Sequence, residues 1–123
     1  VRILVPAKSD IILAGVAARS YYTPLLQSGV KIFEYLPSMS HAKTMVVDSK
    51  WSIVGSANID IRSFRLNFEL NTLINDESIA GEIEKRFLND LNKSRKINET
   101  SFFNRPKRIQ VAEKVARLLS PLL

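Results

Sequence analysis

Hydrophobic and polar positions along the chain alternate between patterns typical of strands and patterns typical of helices. Short apolar runs rich in β-forming residues predict strands, and apolar residues that recur every three or four positions predict helices. The predicted strands span residues 2–6, 30–36, 41–47, 51–55 and 69–75. Helical spacing covers residues 11–26, 76–92 and about 106–119, and a polar linker is predicted between the last two helices.

Several residues mark where these helices begin, bend or end. Lys8-Ser9-Asp10 supplies residue types that cap the N-terminus of a helix, and Asp76 does the same for the second helix. Pro24 lies inside the first helical pattern, so it predicts a kink or a separate last turn. Gly29 is a suitable residue to end that helix.

The order of the elements predicts the α/β fold class. The first strand, helix and strand form a crossover unit with parallel strands. By contrast, Asp48-Ser49-Lys50 predicts the turn of an antiparallel hairpin. We therefore expect a mixed β-sheet flanked by helices on both faces. The helix faces predicted to pack comprise Ile79, Ile83, Phe87 and Leu91 in the second helix, and Ile109, Ala112, Ala116 and Leu119 in the third.

The composition is that of a globular protein and excludes several kinds of site. Of 123 residues, 46% are hydrophobic and 24% are charged, unlike the balance in disordered chains. The absence of Cys excludes disulfides, thiolate metal sites and a Cys nucleophile. The longest apolar run, Ile11–Ala18, is far shorter than the ~20 residues of a membrane-spanning helix. Because the chain begins at Val1, without Met and within a strand pattern, we expect it to be a fragment.

The net charge of +6 is unevenly distributed. Residues 1–92 carry ten basic and ten acidic residues, whereas residues 93–123 carry eight basic and two acidic residues. We therefore predict a neutral part at 1–92, with a basic linker and amphipathic helix of the same domain at 93–123. The basic part is either a solvated linker with a packed helix or a contact with an anionic membrane surface, into which Leu118-Leu119 and Leu122-Leu123 would insert. Nucleic acid is disfavoured as a partner, because basic and aromatic residues do not interleave along a stripe.

One polar cluster carries recognisable chemistry. His41 and Lys43 lie two positions apart in a predicted strand, so both side chains project from one face, about 7 Å apart, and can reach one anion. After the hairpin, Gly55 permits close backbone approach, Ser56 supplies a hydroxyl and Asn58 supplies an amide donor. Imidazole, ammonium, hydroxyl and amide together predict an oxyanion site with a candidate nucleophile.

Two carboxylates complete this cluster. The His41 nitrogen that is free to attack depends on what the other ring nitrogen bonds, so the imidazole needs a partner. Glu69, flanked by apolar residues at the start of a predicted strand, is the candidate for that role. Asp48 ranks below it, because an Asp at a hairpin commonly only stabilises the turn.

The spacing H-x-K-x4-D-x6-G-S-x-N over residues 41–58 resembles the HKD signature of the phospholipase D superfamily. The similarity extends through GSANIDIRSF, NFE and ARLLSPLL, which resemble the C-terminal half of bacterial cardiolipin synthases. This resemblance covers essentially the whole chain, and it implies a partial phospholipase D-like domain.

The resemblance also implies roles for individual side chains. The residues implied in catalysis are His41, Lys43, Asp48 and Glu69, and those implied in binding the substrate phosphate are Lys43, Ser56 and Asn58. His41 would be the nucleophile or its acid/base counterpart, and Glu69 would be the carboxylate that orients it. Arg62 and Arg65 would lie in the site loop, where they would contact either a lipid headgroup or solvent.

The activity implied by the resemblance is phosphatidyl transfer between two phosphatidylglycerol molecules, which makes cardiolipin and releases glycerol through a phosphohistidine. No metal or other cofactor is implied. The family's chemistry uses two histidines and the chain contains one, so a second HKD half is expected upstream or in another chain, and the fragment is expected to be inactive alone. The implied location is the bacterial cell membrane, with any transmembrane anchor upstream.

Other functions remain open at this point. The same chemistry serves phospholipid hydrolysis, phosphatidylserine synthesis and nucleases in this superfamily. A function of a different class is a non-catalytic half that binds phosphate without turnover.

Overall fold

The computed structural model describes residues 1–9, 12–58, 63 and 65–119. Its strands are β1 (Arg2–Pro6), β2 (Lys31–Tyr35), β3 (Thr44–Val47), β4 (Trp51–Gly55), β5 (Asn71–Asn75) and β6 (Ser94–Lys96). Its helices are α1 (Ile12–Arg19), α2 (Tyr22–Gln27), α3 (Glu77–Leu91), α4 (Glu99–Phe103) and α5 (Lys107–Leu119). They form two compact units: a first unit of Val1–Ser40 with Lys93–Leu123, and a second unit of His41–Asn92. The predicted division into residues 1–92 and 93–123 stays a prediction.

The first unit is built on a mixed three-stranded sheet with β2 at its centre. β1 runs parallel to β2, as the predicted crossover requires, and β6 pairs with β2 on the other side in the antiparallel direction. The core beside this sheet consists of Tyr22, Leu26, Ile32 and Phe102. The expected α/β class, with sheets flanked by helices, is therefore confirmed.

The first helical pattern is divided earlier than predicted. The break falls at Ser20 and Tyr21, between α1 and α2, where the Ser20 hydroxyl donates to the Ala17 carbonyl at 2.6 Å. A side chain that bonds the backbone in this way competes with continuation of the helix. Pro24 lies instead in the first turn of α2, where its missing N–H costs nothing. Gly29 ends α2 as predicted, with φ at 80° and its N–H donated to the Leu26 carbonyl.

The segment predicted as a polar linker contains a strand and a short helix. Ser94–Lys96 forms β6, and Glu99–Phe103 forms α4, which Asn98 caps by accepting from the Ser101 N–H at 3.0 Å. A strand of Ser, Arg and Lys at the edge of a sheet has no apolar alternation, which explains why the sequence pattern did not reveal it.

The second unit is an antiparallel sheet of β3, β4 and β5 with α3 packed against it. Asp76 caps α3 as predicted, accepting from the Ile79 N–H at 2.9 Å. The predicted packing face is shifted at its first position, because Ala80 is fully buried whereas Ile79 is exposed. Ala80 has no bulky side chain, so it lets the helix backbone approach the sheet closely.

The packed face of α5 also differs from the predicted one. Ala116 is buried as expected, but Ile109 and Ala112 are exposed and Glu113 is buried. Glu113 faces inward because it is bonded to Arg105 at 2.5 Å. Within the described residues, no helix has both the length and the apolar character that crossing a bilayer requires.

Candidate active site

The candidate site is built around the end of β4, the central strand of the second unit. Gly55 donates its N–H to the Lys43 carbonyl at 3.1 Å and lies opposite Asn71 of β5. A Cβ at position 55 would come within 2.5 Å of the Leu70 carbonyl oxygen, which is too close for any real side chain. Glycine therefore lets the end of β4 lie close to Lys43 on one side and to Leu70 and Asn71 on the other. This confirms the close backbone approach expected at Gly55.

Ser56 is fixed by the two residues that precede β5, which begins two residues later than predicted. Its N–H donates to the Leu70 carbonyl at 3.0 Å, and its Oγ accepts from the Leu70 N–H at 3.0 Å. The same hydroxyl donates its hydrogen to Glu69 Oε2 at 2.5 Å. Both the position and the orientation of the Ser56 hydroxyl are thus determined.

The Glu69 carboxylate gathers several polar groups. The hydrogen bond from Ser56 does most to hold the pKa of Glu69 below its usual range, and a hydrogen bond from Ser63 acts in the same direction. Asn67 Nδ2 donates to the other carboxylate oxygen at 3.4 Å, and the charge of Lys43 lowers the pKa a little further. Glu69 is therefore ionised at neutral pH, and its negative charge lies near the Lys43 ammonium.

His41 and Lys43 lie in the segment just before β3, because β3 begins at Thr44 and the predicted strand over 41–47 is three residues too long. The Lys43 main chain still pairs with β4 through Gly55. Its ammonium donates to the His41 carbonyl oxygen at 2.8 Å, whereas the His41 side chain is exposed. The two residues are therefore linked through the His41 main chain, and a shared strand face does not account for their proximity.

Asn58 enters the same network through its main chain. Its N–H donates to Ser63 Oγ at 3.1 Å, and Ser63 in turn bonds the Glu69 carboxylate. Ser63 and Asn67 are site residues that the sequence did not reveal. A serine in a polar loop carries no spacing signal, and the one available clue for Asn67 is its separation of two positions from Glu69, which places both side chains on one side of an extended chain.

Asp48 lies at the other end of β3, in the turn of the hairpin. The four residues of β3 separate it from Lys43, which puts the two Cα atoms about 16 Å apart. Asp48 and Ser49 have φ of 54° and 51°, and the Lys50 N–H donates to the Val47 carbonyl at 3.2 Å, the pattern of a type I′ turn. The structure does not bring Asp48 together with the other candidates, and its catalytic role stays a prediction.

Some predicted features lie outside the described residues. They are Asp10 of the first helix cap, Arg62 of the site loop and the Leu122-Leu123 pair, and the side chain of Leu119 belongs with them. Arg65 is described and is exposed. In the part of the chain that the structure describes, no three His, Cys, Asp or Glu side chains are grouped so as to hold a metal ion.

The arrangement is suited to binding a phosphate group next to a nucleophile. An ammonium has three donors, and Lys43 gives one of them to the His41 carbonyl, so two remain for an anionic oxygen. The exposed His41 imidazole is attached to the same short segment. The Lys43 ammonium therefore bonds the His41 main chain, while the described hydrogen bonds of Glu69 go to Ser56, Ser63 and Asn67, and the roles predicted for these side chains stay predictions.

Comparison with known proteins covers the whole chain. Residues 1–91 match the family model described as "Cardiolipin synthase, PLD-like domain". Over 123 residues the chain is 44% identical to a cardiolipin synthase of Geobacillus sp. (strain WCH70) and 45% identical to the major cardiolipin synthase ClsA of Bacillus subtilis (strain 168). It covers 24% and 26% of these two proteins, so it spans about a quarter of the length of the curated relatives it matches. Because the family model matches most of its residues, the chain belongs to the PLD-like domain family of the cardiolipin synthases.

Proposed function

We propose that this chain supplies one half of the active site of a phosphatidyltransferase that makes cardiolipin from two phosphatidylglycerol molecules. The observation that supports this proposal is the convergence of the Ser56 hydroxyl and the Glu69 carboxylate near the Lys43 ammonium, which bonds the main chain of the exposed His41. The names of the relatives point to the same activity, although each is about four times as long as this chain.

In the proposed reaction, His41 is either the nucleophile or the acid/base partner of a second histidine. One imidazole attacks phosphorus while the bond from phosphorus to the glycerol oxygen breaks, and the other imidazolium gives its proton to the departing glycerol. A hydroxyl of a second phosphatidylglycerol then attacks the phosphohistidine and loses its proton to the other imidazole. Two phosphatidylglycerol molecules thereby yield one cardiolipin and one glycerol.

The remaining side chains act on the phosphate and on each other. Lys43 and Asn58 stabilise the charge on the non-bridging oxygens, where fixed donors are most effective in the transition state. Ser56 has committed its hydrogen to Glu69, so we assign it a smaller role in binding. Glu69 holds Ser56 and partly balances the Lys43 charge, and its action on His41 stays a prediction.

A second HKD half is part of the proposal. The sequence contains one histidine, and the two-step reaction needs two imidazoles at one phosphorus. The second half belongs either to another part of the same polypeptide or to a second copy of the chain.

The outward side of α5 supports contact with an anionic membrane surface. Val111, Val115 and Leu118 recur there at helical spacing, and Leu118 is 79% exposed. Lys107 and Lys114 share that side of the helix, where each would gain about 1 kcal/mol near anionic headgroups. The proposed location is therefore the surface of the bacterial cell membrane, with any transmembrane anchor upstream.

The proposal is tested by replacing His41 with Ala in the full-length enzyme and measuring cardiolipin by mass spectrometry. We expect product formation to be lost, because no other residue of the chain can form the phosphohistidine. Lys43→Ala should lower kcat by about 10²–10³, whereas Lys50→Ala, on an exposed residue of the same hairpin, should leave activity intact. Undiminished cardiolipin synthesis by His41→Ala would overturn the proposal.

The same enzyme separates the alternatives. Phosphatidylglycerol, phosphatidylcholine and DNA are supplied in turn, and the products and any ³²P-labelled His41 are identified. Transfer to water or serine would favour another superfamily activity. A protein that binds phosphate without ever acquiring the label would favour a non-catalytic half.

A further inference from the structure

A cavity in the first unit is lined mainly by basic and polar side chains. Its volume is about 280 Å³, at the small end of the range for ligand sites, which suits a small headgroup or inorganic anion. The lining residues that matter here are Arg19, Glu34, Arg95, Asn98 and Arg105. They come from α1, β2, β6, the residue that caps α4 and the segment between α4 and α5, so the cavity is formed by elements that are far apart in sequence.

A buried carboxylate orients two of the arginines. Glu34 is only 4% exposed, and it accepts from Arg19 Nη2 at 2.7 Å through one oxygen and from Arg95 Nη2 at 2.6 Å through the other. Each guanidinium uses a single nitrogen for this contact, whereas it carries five N–H donors in total. The side chains of Arg19 and Arg95 remain 43% and 65% exposed. Glu34 therefore holds two partly exposed guanidinium groups side by side.

The charges around the cavity do not cancel. Arg105 is neutralised by Glu113 at 2.5 Å, and it stacks on the Phe102 ring at 3.3 Å from the centroid. Arg19 and Arg95 share one carboxylate, that of Glu34. The cavity thus keeps a net charge of +1 once both carboxylates are counted. Cations held together at this density repel one another, and an anion with several oxygens would relieve the repulsion while accepting the remaining N–H donors.

We propose that this cavity binds a phosphate group, separately from the site around His41. Arg19 and Arg95 supply N–H donors beyond those bonded to Glu34, and Asn98 lies within the same lining. The phosphate belongs either to a lipid headgroup or to a small soluble molecule. The proposal does not depend on the transfer reaction, because none of these residues belongs to the second unit.

The test is equilibrium dialysis of ³²P-labelled inorganic phosphate against the full-length protein. Every sample carries Lys43→Ala, so that the site around His41 contributes little. We expect Arg95→Gln to bind phosphate about tenfold more weakly than the parent. Lys93→Gln is the matched control, because it removes the same charge from an exposed residue outside the cavity, and it should bind as the parent does.

A second variant guards against loss of folding in Arg95→Gln. Arg95→Lys keeps the positive charge beside Glu34 but lacks the planar fork of N–H donors, so its thermal unfolding should match the parent while its phosphate affinity falls. Vesicles of phosphatidylglycerol and of phosphatidylcholine, with soluble glycerol 3-phosphate, identify the source of the phosphate. Arg95-dependent binding to phosphatidylglycerol vesicles indicates a lipid headgroup, and dependence seen only with soluble phosphates indicates a small molecule. Equal binding of all ligands by Arg95→Gln, Arg95→Lys and Lys93→Gln would refute the proposal.

Discussion

At the scale of single residues, the site is organised by the Glu69 carboxylate, which is held mainly by hydrogen bonds and less by an ion pair. Glu69 collects hydroxyl and amide hydrogens from Ser56, Ser63 and Asn67, and it also lies near the Lys43 charge. Such an arrangement fixes the hydroxyl of Ser56 more firmly than a solvated serine could be fixed. The same bonds make the Glu69 pKa a direct measure of whether the site is assembled.

Replacing Ser56 with Ala should raise the pKa of Glu69 towards its ordinary value of about 4.3, because the largest contribution to its lowering is lost. The measurement is an NMR titration of the Glu69 side-chain carboxyl carbon. Since folding lowers this pKa, the carboxylate stabilises the fold at neutral pH, and that contribution is lost as pH falls below about 4. The parent should therefore lose more stability than Ser56→Ala across this acidic range.

Ser28→Ala is the control for this measurement, because Ser28 bonds the Pro24 carbonyl in the first unit. It should leave the Glu69 titration unchanged. A Glu69 pKa that does not move in Ser56→Ala would show that the serine bond does not hold the carboxylate in its ionised form.

At the scale of elements, the β3–β4 hairpin sets the distance between the turn and the site. Asp48 and Ser49 both have positive φ, a conformation that Asn and Asp tolerate and β-branched residues resist. This observation explains an Asp at position 48 without any chemical role. The residue that supplies the third letter of the HKD signature thus has a structural role in the turn, and its catalytic role stays a prediction.

Asp48→Asn should retain both stability and cardiolipin synthesis, because Asn keeps the turn and the Cα atoms of residues 48 and 43 are about 16 Å apart. Asp48→Val should lower the free energy of unfolding by about 1–2 kcal/mol. Urea unfolding and product analysis on the full-length enzyme measure the two effects. A folded Asp48→Asn protein without activity would instead show that the carboxylate takes part in the chemistry.

The same scale shows what the sequence could predict. Features decided by neighbouring residues were correct: the cap at Asp76 and the helix end at Gly29. The close approach at Gly55 was also correct, because glycine marks such a position wherever the approaching strand lies in the sequence. The break before α2 and strand β6 were missed because they depend on a side-chain bond to the backbone and on pairing with a distant strand. In the site, residue types and spacing indicated His41 and Lys43. The contacts of Glu69 with Ser63 and Asn67 could not be predicted, because they depend on the conformation of the segment between β4 and β5.

At the scale of the whole molecule, the net charge differs more between the two structural units than between the sequence segments 1–92 and 93–123. The first unit contains twelve basic and four acidic residues, a net charge of +8. The second unit contains six basic and eight acidic residues, a net charge of −2. The second unit, which carries the candidate nucleophile, is thus slightly acidic. We therefore expect the first unit to be the one attracted to an anionic surface.

Binding to phosphatidylglycerol vesicles should therefore depend on salt and on α5. Raising the ionic strength from 0.15 M to 1 M shortens the screening length from about 8 Å to about 3 Å, so co-sedimentation should fall. Val115→Ser with Leu118→Ser should weaken binding about tenfold by removing exposed apolar surface. The control is Leu73→Ser, which changes an exposed leucine of the second unit. Equal binding to phosphatidylglycerol and phosphatidylcholine would contradict the electrostatic contribution.

The bond between the Lys43 ammonium and the His41 carbonyl has a consequence for reactivity. A phosphate bound by the other two ammonium donors of Lys43 would be attached to the three-residue segment 41–43, which also carries the imidazole. Thermal displacement of this segment would then carry nucleophile and phosphorus together, so their separation would vary less than that of two groups on independent supports. The result is a high effective concentration of one reactant at the other, maintained by a single main-chain oxygen.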